Sequence, residues 1–411
     1  MYLEGETNNS NENVVKCNIC DKVVSKAVDA QYFVSLSLES QLQQLLEDDK
    51  NAEKIIKHRF TRAKQEEGNF EDVYDGNEYK KLASHGNILS YPQNFSYSFF
   101  IDGVAVGKRK KSLWPIYVSI NELPPKERRA NILLVGLYYS KHDPDQQFFL
   151  KPFVQEANQL SSQGFTWKHK GTSVLSKVIP LIAVAESVAR CQLLNFQTFS
   201  ACYGCTFCYQ KPTRTVKKLK YTRPTEKVEE RTKESYLIDL QHAYQNRFEV
   251  QEKNRHHRGV KGPSSLAELN WFDLISGCVV DYMHNILSGV CKTYFDLVFE
   301  SSRRKFWILL SKDDGKRFCM EDVKSEIDDR LTKITPPTCI NRAPRTIKDC
   351  GSWKANEWRS WLLFYSVPCL KGLLKNKYLT HFAMLSEATT LLLVSVWVLQ
   401  QIKLVKGIIN F

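Results

Sequence analysis

Three carboxylates stand where the surrounding residues call for burial. Asp102 interrupts the apolar, aromatic, β-prone run 94–106 and is followed by Gly103. A carboxylate there is costly to desolvate unless a cation, a hydrogen-bond donor or a metal meets it. Glu186 ends the mostly apolar run 174–185, at the C-terminal end of an expected buried strand, where α/β folds place their chemistry. Glu357 lies in an aromatic amphipathic helix expected over 353–365, a setting otherwise suited to burial. A second group is sulfur-based. Cys205 and Cys208 stand two residues apart beside Gly204, a pair suited to tetrahedral Zn²⁺ if four ligands are found, with Cys202, His256, His257 or another thiolate as candidates to complete the set. The other reading is a buried turn. Cys17 and Cys20 make half of a similar knuckle with no second pair close behind. Asp281 and His284, at i and i+3, share one face of a helix expected through Phe299; they could bind a metal, orient a ligand or hydrogen-bond to each other.

The elements that must position these groups follow from the patterning. The runs 94–106, 112–120 and 131–139 read as three consecutive strands, with the breakers Asn121 to Pro125 between the last two. Leucines at near-helical spacing over 34–46 predict an amphipathic packing helix, and 144–160 shows helical spacing interrupted by Pro152. Residues 54–64 are basic and read as solvated; 301–347 is charged and irregular, as expected of an inserted helical unit.

Composition sets the outer limits. The chain has 411 residues, 43% of them hydrophobic and 12% aromatic, enough for a large core and more than one structural unit. Lys and Arg outnumber Asp and Glu by 58 to 45, a net charge of +13, which favours a polyanionic partner such as nucleic acid. Candidate phosphate contacts are Lys108, Arg109, Lys110 and Lys111, just after the first strand, and Lys217, Lys218 and Lys220 in the stretch 211–224, which holds six basic residues and no acidic one. Such runs are also common as solvated surface. The N-terminus lacks the pattern of a secretory signal, and the most apolar segment, 391–399, is about half the roughly 20 residues a membrane helix needs, so no membrane role is expected. Twelve cysteines without a signal imply a reducing compartment.

Taken together, certain motifs resemble the transposases of the CACTA type (En/Spm, Tnp2-like) and the transposase-domain proteins derived from them. They are Phe-Ile-Asp-Gly-Val at 100–104, Ser-Leu-Trp-Pro-Ile at 112–116, Ile-Asn-Glu-Leu-Pro-Pro at 120–125, Phe-Leu-Lys-Pro-Phe-Val at 149–154, Tyr-Gly-Cys-Thr-Phe-Cys at 203–208, Gly-Val-Lys-Gly-Pro-Ser at 259–264, Asp-Tyr-Met-His at 281–284 and Lys-Ala-Asn-Glu-Trp-Arg at 354–359. The resemblance implies an α/β fold with a ribonuclease-H-like core, a mixed five-stranded sheet flanked by helices, carrying a largely helical insertion. The expected division is an N-terminal region at 1–90, the first part of the core at 91–209, a basic loop and helical insertion at 210–350, and C-terminal core helices at 351–411.

The activity so implied is cleavage and joining of DNA in the nucleus by two Mg²⁺ or Mn²⁺ ions about 3.5 to 4 Å apart, held by an Asp, Asp, Glu triad. Asp102 and Glu357 match the first and last members. Glu186 stands where the family has its second Asp, a departure at a catalytic position. The family's Asp-x-x-His falls on Asp281 and His284, with a role in structure or DNA positioning. Expected partners are DNA and further copies of the chain in a homo-oligomer. Glu186, the half knuckle and the stop after Phe411 fit a degenerate or domesticated copy. Two alternatives stay open: a non-catalytic DNA- or chromatin-binding protein on the same fold, and another metal-dependent nuclease.

Overall fold

The protein, seen in a computed structural model, is described over residues 14–16, 23–25, 32–64, 69–107, 111–214, 219–222, 224–249, 256–299, 320–338, 340 and 342–393. It divides into two compact units, residues 1–63 with 76–280, and residues 64–75 with 281–411. Cys17 and Cys20 lie outside the described residues.

The first unit is α/β, with a mixed sheet flanked by helices. Its strands are β1 (Tyr32–Ser35), β2 (Phe95–Ile101), β3 (Val104–Val106), β4 (Lys111–Ile120), β5 (Ile132–Ser140), β6 (Val178–Ala185) and β7 (Cys278–Val280). They are ordered β7-β6-β2-β4-β5-β1, with β3 pairing to β4. β2, β4 and β5 form an antiparallel meander that β1 extends, whereas β6 runs parallel to both β2 and β7. β2 is central, so Phe95, Tyr97, Phe99 and Ile101 are buried, and its long aromatic side chains fill the core.

Helices α1 (Leu38–Glu47), α2 (Asp49–Thr61) and α3 (Gln146–Ser162) join the sheet in one apolar core. α1 buries Leu38, Leu42, Leu45 and Leu46, the stripe expected from the leucine spacing, while Val34 belongs to edge strand β1 instead. α3 runs unbroken through Pro152, contrary to the expected interruption. Phe149, Leu150, Phe153 and Val154 are buried on both sides of the proline, and Phe153 lies 5.1 Å from the Phe99 ring. Burial of four such side chains, each contributing about 1.5–3 kcal/mol, outweighs the roughly 3 kcal/mol a helical proline costs.

The apolar run 174–185 is not one strand. Thr172–Ser176 pairs back on Phe165–His169 in a separate hairpin, and β6 begins at Val178. Within β6 the pairing with β2 shifts between Pro180 and Ile182. Pro180 has no N–H for the ladder, and an extra residue at that point is a bulge, which advances everything after it by one position. Short helix α4 (Ser187–Leu193) follows β6 directly, and α5 (Lys233–Glu249) comes later in the same unit.

The second unit is helical where it is described. A π-helical segment, Met283–Cys291, leads into α6 (Lys292–Phe299), followed by α7 (Met320–Thr332), α8 (Ala355–Ser360), a second π-helical turn at Trp361–Tyr365, α9 (Ser366–Leu370) and α10 (Asn376–Leu393). Its core centres on Phe295, whose ring lies 6.0, 5.5 and 5.6 Å from those of Trp353, Trp358 and Trp361. Among the described residues no helix is long and apolar enough to cross a membrane.

One polar cluster inside the first unit ties its elements together. Glu122, with 0% of its surface exposed, follows β4. It accepts hydrogen bonds from the Ser96 N–H (2.8 Å) and Ser96 Oγ (3.0 Å) of β2, from the Tyr79 hydroxyl (2.8 Å) and from Arg59 Nη1 of α2 (3.4 Å). Arg59 belongs to the basic stretch read as solvated, yet its side chain is only 3% exposed, because Glu122 and the Tyr91 carbonyl draw it inward. Burial pushes the Glu122 carboxyl above the usual carboxylate range, against the pull of Arg59 and of the hydrogen bonds from Ser96 and Tyr79. The folded state therefore holds a proton that the unfolded chain releases, so this contribution is full at low pH and lost as pH rises through the raised value. Urea unfolding of Glu122→Gln and of the parent, from about pH 5 to about pH 8, is expected to show the variant gaining relative stability with pH. The opposite trend would mean that the charged pair with Arg59 dominates.

Candidate functional site

β2 and β6 run side by side in the same direction, with Phe99 opposite Ala183 and Phe100 opposite Val184. The pairing ends at Phe100 and Val184, so Asp102 and Glu186 each follow the last paired residue of their strand by two positions. The bulge sets that count: upstream of it Pro180 pairs with Tyr97, and without the extra residue Val184 would pair with Ile101 instead of Phe100. Both residues are half-buried at the carboxyl end of parallel strands. Asp102 is turned by its neighbour, Oδ1 accepting from the Gly103 N–H at 2.8 Å. A Cβ on Gly103 would stand 2.6 Å from the Trp114 indole, so only glycine lets β2 leave the sheet here. Glu186 is the residue from which α4 starts, and its carbonyl accepts the Arg190 N–H at 2.8 Å.

Glu357 belongs to the second unit, where it opens α8. Its Oε1 accepts from Arg345 Nε (2.6 Å); its Oε2 accepts from the Lys354 N–H (2.8 Å) and faces Arg342 Nη1 at 3.5 Å. Burial alone would raise this carboxyl; the Arg345 hydrogen bond, the Lys354 amide and the two guanidinium fields outweigh it and hold it below the usual carboxylate range. Both oxygens are thus occupied by a helix cap and an arginine clamp. In the same unit, the His284 ring nitrogen Nδ1 lies 2.6 Å from Asp281 Oδ2, and Asp281 Oδ1 accepts the Met283 N–H at 2.7 Å. Of the three roles open to that pair, the mutual hydrogen bond is the one the structure contains.

Cys205 and Cys208 sit in a tight loop of the first unit. The Phe207 N–H points at Cys205 Sγ (3.4 Å), and burial, with the nearby Cys205, pushes the Cys208 thiol up. Among the described residues no group of three or more His, Cys, Asp or Glu is placed to hold a metal. His257 turns elsewhere, its Nε2 standing 3.6 Å from Asp239 Oδ1 and its ring 4.7 Å from that of His242. Of the basic candidates, Lys108, Arg109, Lys110, Lys217 and Lys218 lie outside the described residues. Lys111 opens β4 with its ammonium 4.7 Å over the Tyr139 ring, and Lys220 is exposed in a small hairpin with Thr213–Arg214.

A buried arginine that the sequence does not advertise anchors the cysteine loop. Arg231, with a side chain 0% exposed, pairs with Asp239 (3.1 Å), donates to the carbonyls of Cys205 (3.1 Å) and Arg258 (2.6 Å), and lies 4.2 Å over the Tyr209 ring. Tyr209 itself donates to Asp239 at 2.6 Å. Arg231 follows Glu229 and Glu230 in a run that reads as ordinary surface, and only the tertiary fold exposes its role.

No protein-family model matches this chain, and no curated protein sequence matches it.

The Glu357 clamp makes a measurable claim. Its folded pKa is lowered, so the stabilisation is present above the unfolded value and is lost as pH falls through the lowered one. With Arg345 and Arg342 about half exposed and screened, Glu357→Gln is expected to cost about 1 kcal/mol at neutral pH and close to nothing in acid, read by urea unfolding. A cost that does not change with pH would remove the charge from the account.

Proposed function

We propose that the chain is a transposase-like protein of the CACTA type that acts on DNA, its phosphodiester chemistry centred on the paired ends of β2 and β6. The observation that carries this reading is that Asp102 and Glu186 each stand two residues beyond the last paired residues of neighbouring parallel strands, Phe100 of β2 and Val184 of β6. The sheet supports it too: β2, β4 and β5 make an antiparallel meander and β6 and β7 run parallel to β2, in keeping with a ribonuclease-H-like core. DNA as partner, a nuclear location and a homo-oligomer belong to the same proposal.

Two carboxylates that follow neighbouring parallel strands are a donor set of the chemistry that fits Mg²⁺ or Mn²⁺, because such ions are commonly held by one or two carboxylates, with waters and substrate phosphates completing the shell. Asp102 and Glu186 would hold the ion. When bound, it supplies Lewis acidity toward a phosphate oxygen and lowers the pKa of a coordinated water. The chain contributes orientation. The Gly103 amide fixes one Asp102 oxygen, the close Gly103–Trp114 packing fixes where β2 ends, and the start of α4 fixes the Glu186 backbone. Glutamate adds a methylene, roughly 1 Å of reach, and misplacements of that size can cost on the order of 100-fold in rate.

A second reading, a DNA- or chromatin-binding protein without chemistry, is favoured by one observation. Glu357, the third carboxylate of the implied triad, is held by Arg345, Arg342 and the Lys354 amide. The two readings separate in a nicking assay on supercoiled DNA in Mn²⁺. The catalytic reading expects nicking that Asp102→Asn abolishes and that Glu186→Asp raises without altering DNA affinity, since affinity comes mainly from Lys and Arg contacts to phosphate. Unchanged nicking in Asp102→Asn would overturn it, and DNA binding without nicking in either form would establish the second reading.

A further inference from the structure

The cysteine loop and the hairpin after it enclose an open polar groove of about 640 Å³ in the first unit. Its charged lining is Lys211, Lys227 and Arg258 with Glu226 and Glu229, and two tyrosines, Tyr203 and Tyr209, contribute their rings. Lys211 Nζ lies 5.6 Å from the Tyr203 ring centre, and Arg258 Cζ lies 5.2 Å from that of Tyr209. None of the three cations is in an ion pair with a described carboxylate.

The Tyr209 ring and the Tyr203 backbone are both held in place. Tyr209 is fixed by its hydrogen bond to Asp239 and by Arg231 on its face. Tyr203 sits at φ 61°, and a Cβ on Gly259 would stand 2.5 Å from its carbonyl oxygen, so the loop closes only with glycine there. Tyr221 locks the same loop to the hairpin, its hydroxyl accepting the Gly204 N–H at 2.7 Å and donating to the Ala201 carbonyl at 2.5 Å. Aromatic faces interleaved with free cations, set in advance, are what a nucleic-acid strand needs for stacking and phosphate contact. The charge density chooses the form of the strand. Three cations tempered by two carboxylates match a duplex, with a charge every 1.7 Å or so, less well than a single strand with an unpaired base to stack on Tyr203.

We propose that this groove binds a single nucleic-acid strand, with phosphates met by Lys211, Lys227 and Arg258 and a base stacked on Tyr203. The inference rests on the DNA reading above for the kind of partner, but it does not depend on catalysis. The test is fluorescence polarisation of the full chain, in EDTA, with a labelled mixed-sequence single-stranded deoxyoligonucleotide and its duplex, titrated over salt. Tyr203→Asn removes the ring while tolerating the left-handed backbone; Lys211→Ala alters an exposed position outside that constraint; Lys126→Ala, exposed on another helix, is the control. The parent is expected to bind the single strand more tightly than the duplex. Tyr203→Asn should weaken single-strand binding roughly five-fold or more. Lys211→Ala should lower the salt slope by about 0.7, with Lys126→Ala unchanged. Tighter duplex binding, parental affinity in Tyr203→Asn, or an equal change in the control would each overturn the groove. Loss of nicking activity with groove binding intact would instead remove only the catalytic reading.

Discussion

A proline inside a central strand cannot donate to the ladder, and the geometry at the strand ends depends on how this chain absorbs that defect at Pro180. β6 takes up one extra residue between Pro180 and Ile182, so its upstream half pairs with β2 in one register and its downstream half in the next. A slip of one residue in a strand reverses which face each side chain presents. Here the slip is local. It leaves Val178 and Ile179 buried and sets Asp102 and Glu186 each two residues past the last paired residues of β2 and β6.

The rest of the first unit holds that register in place. Ser96, at the start of β2, gives both its amide and its hydroxyl to Glu122, so β2 and the turn after β4 are tied at one end by a carboxylate with no exposed surface. At the other end Gly103 packs on Trp114. β2 is therefore bounded by two contacts that tolerate little change, one polar and buried, one steric, and the carboxylate that follows it inherits that rigidity.

The strands of the meander were legible because their apolar and aromatic runs are long and the breakers at Asn121 to Pro125 are strong. The leucine stripe of α1 was legible for the same reason. β7 was not: three residues at the end of an apolar stretch carry no period, and only pairing with Ala183 to Ala185 makes them a strand. The hairpin at 165–176 was hidden because Val174 and Leu175 continue the apolar run into β6 without punctuation other than Ser176 and Lys177. At the site, the carboxylates could be picked out by their apolar surroundings, whereas the partners that define each one could not. Arg345 and Arg342 lie 12 and 15 residues from Glu357, in a segment that reads as irregular and charged.

The arginines also change what the net charge of +13 means. Read as surface, it suggests a uniformly basic protein attractive to any polyanion. In the fold, Arg59 and Arg231 are buried beside Glu122 and Asp239, and the part-exposed Arg345 is committed to Glu357, so these cations contribute less to the outer field. A guanidinium suits that work because its planar fork can satisfy a carboxylate and backbone carbonyls together, as Arg231 does with Asp239, Cys205 and Arg258. Attraction to phosphate then depends on where the remaining cations cluster. Around the cysteine loop, the buried Arg231 and the exposed Arg258 both lie over the Tyr209 ring, and one tyrosine becomes the junction between the structural cations and the available ones.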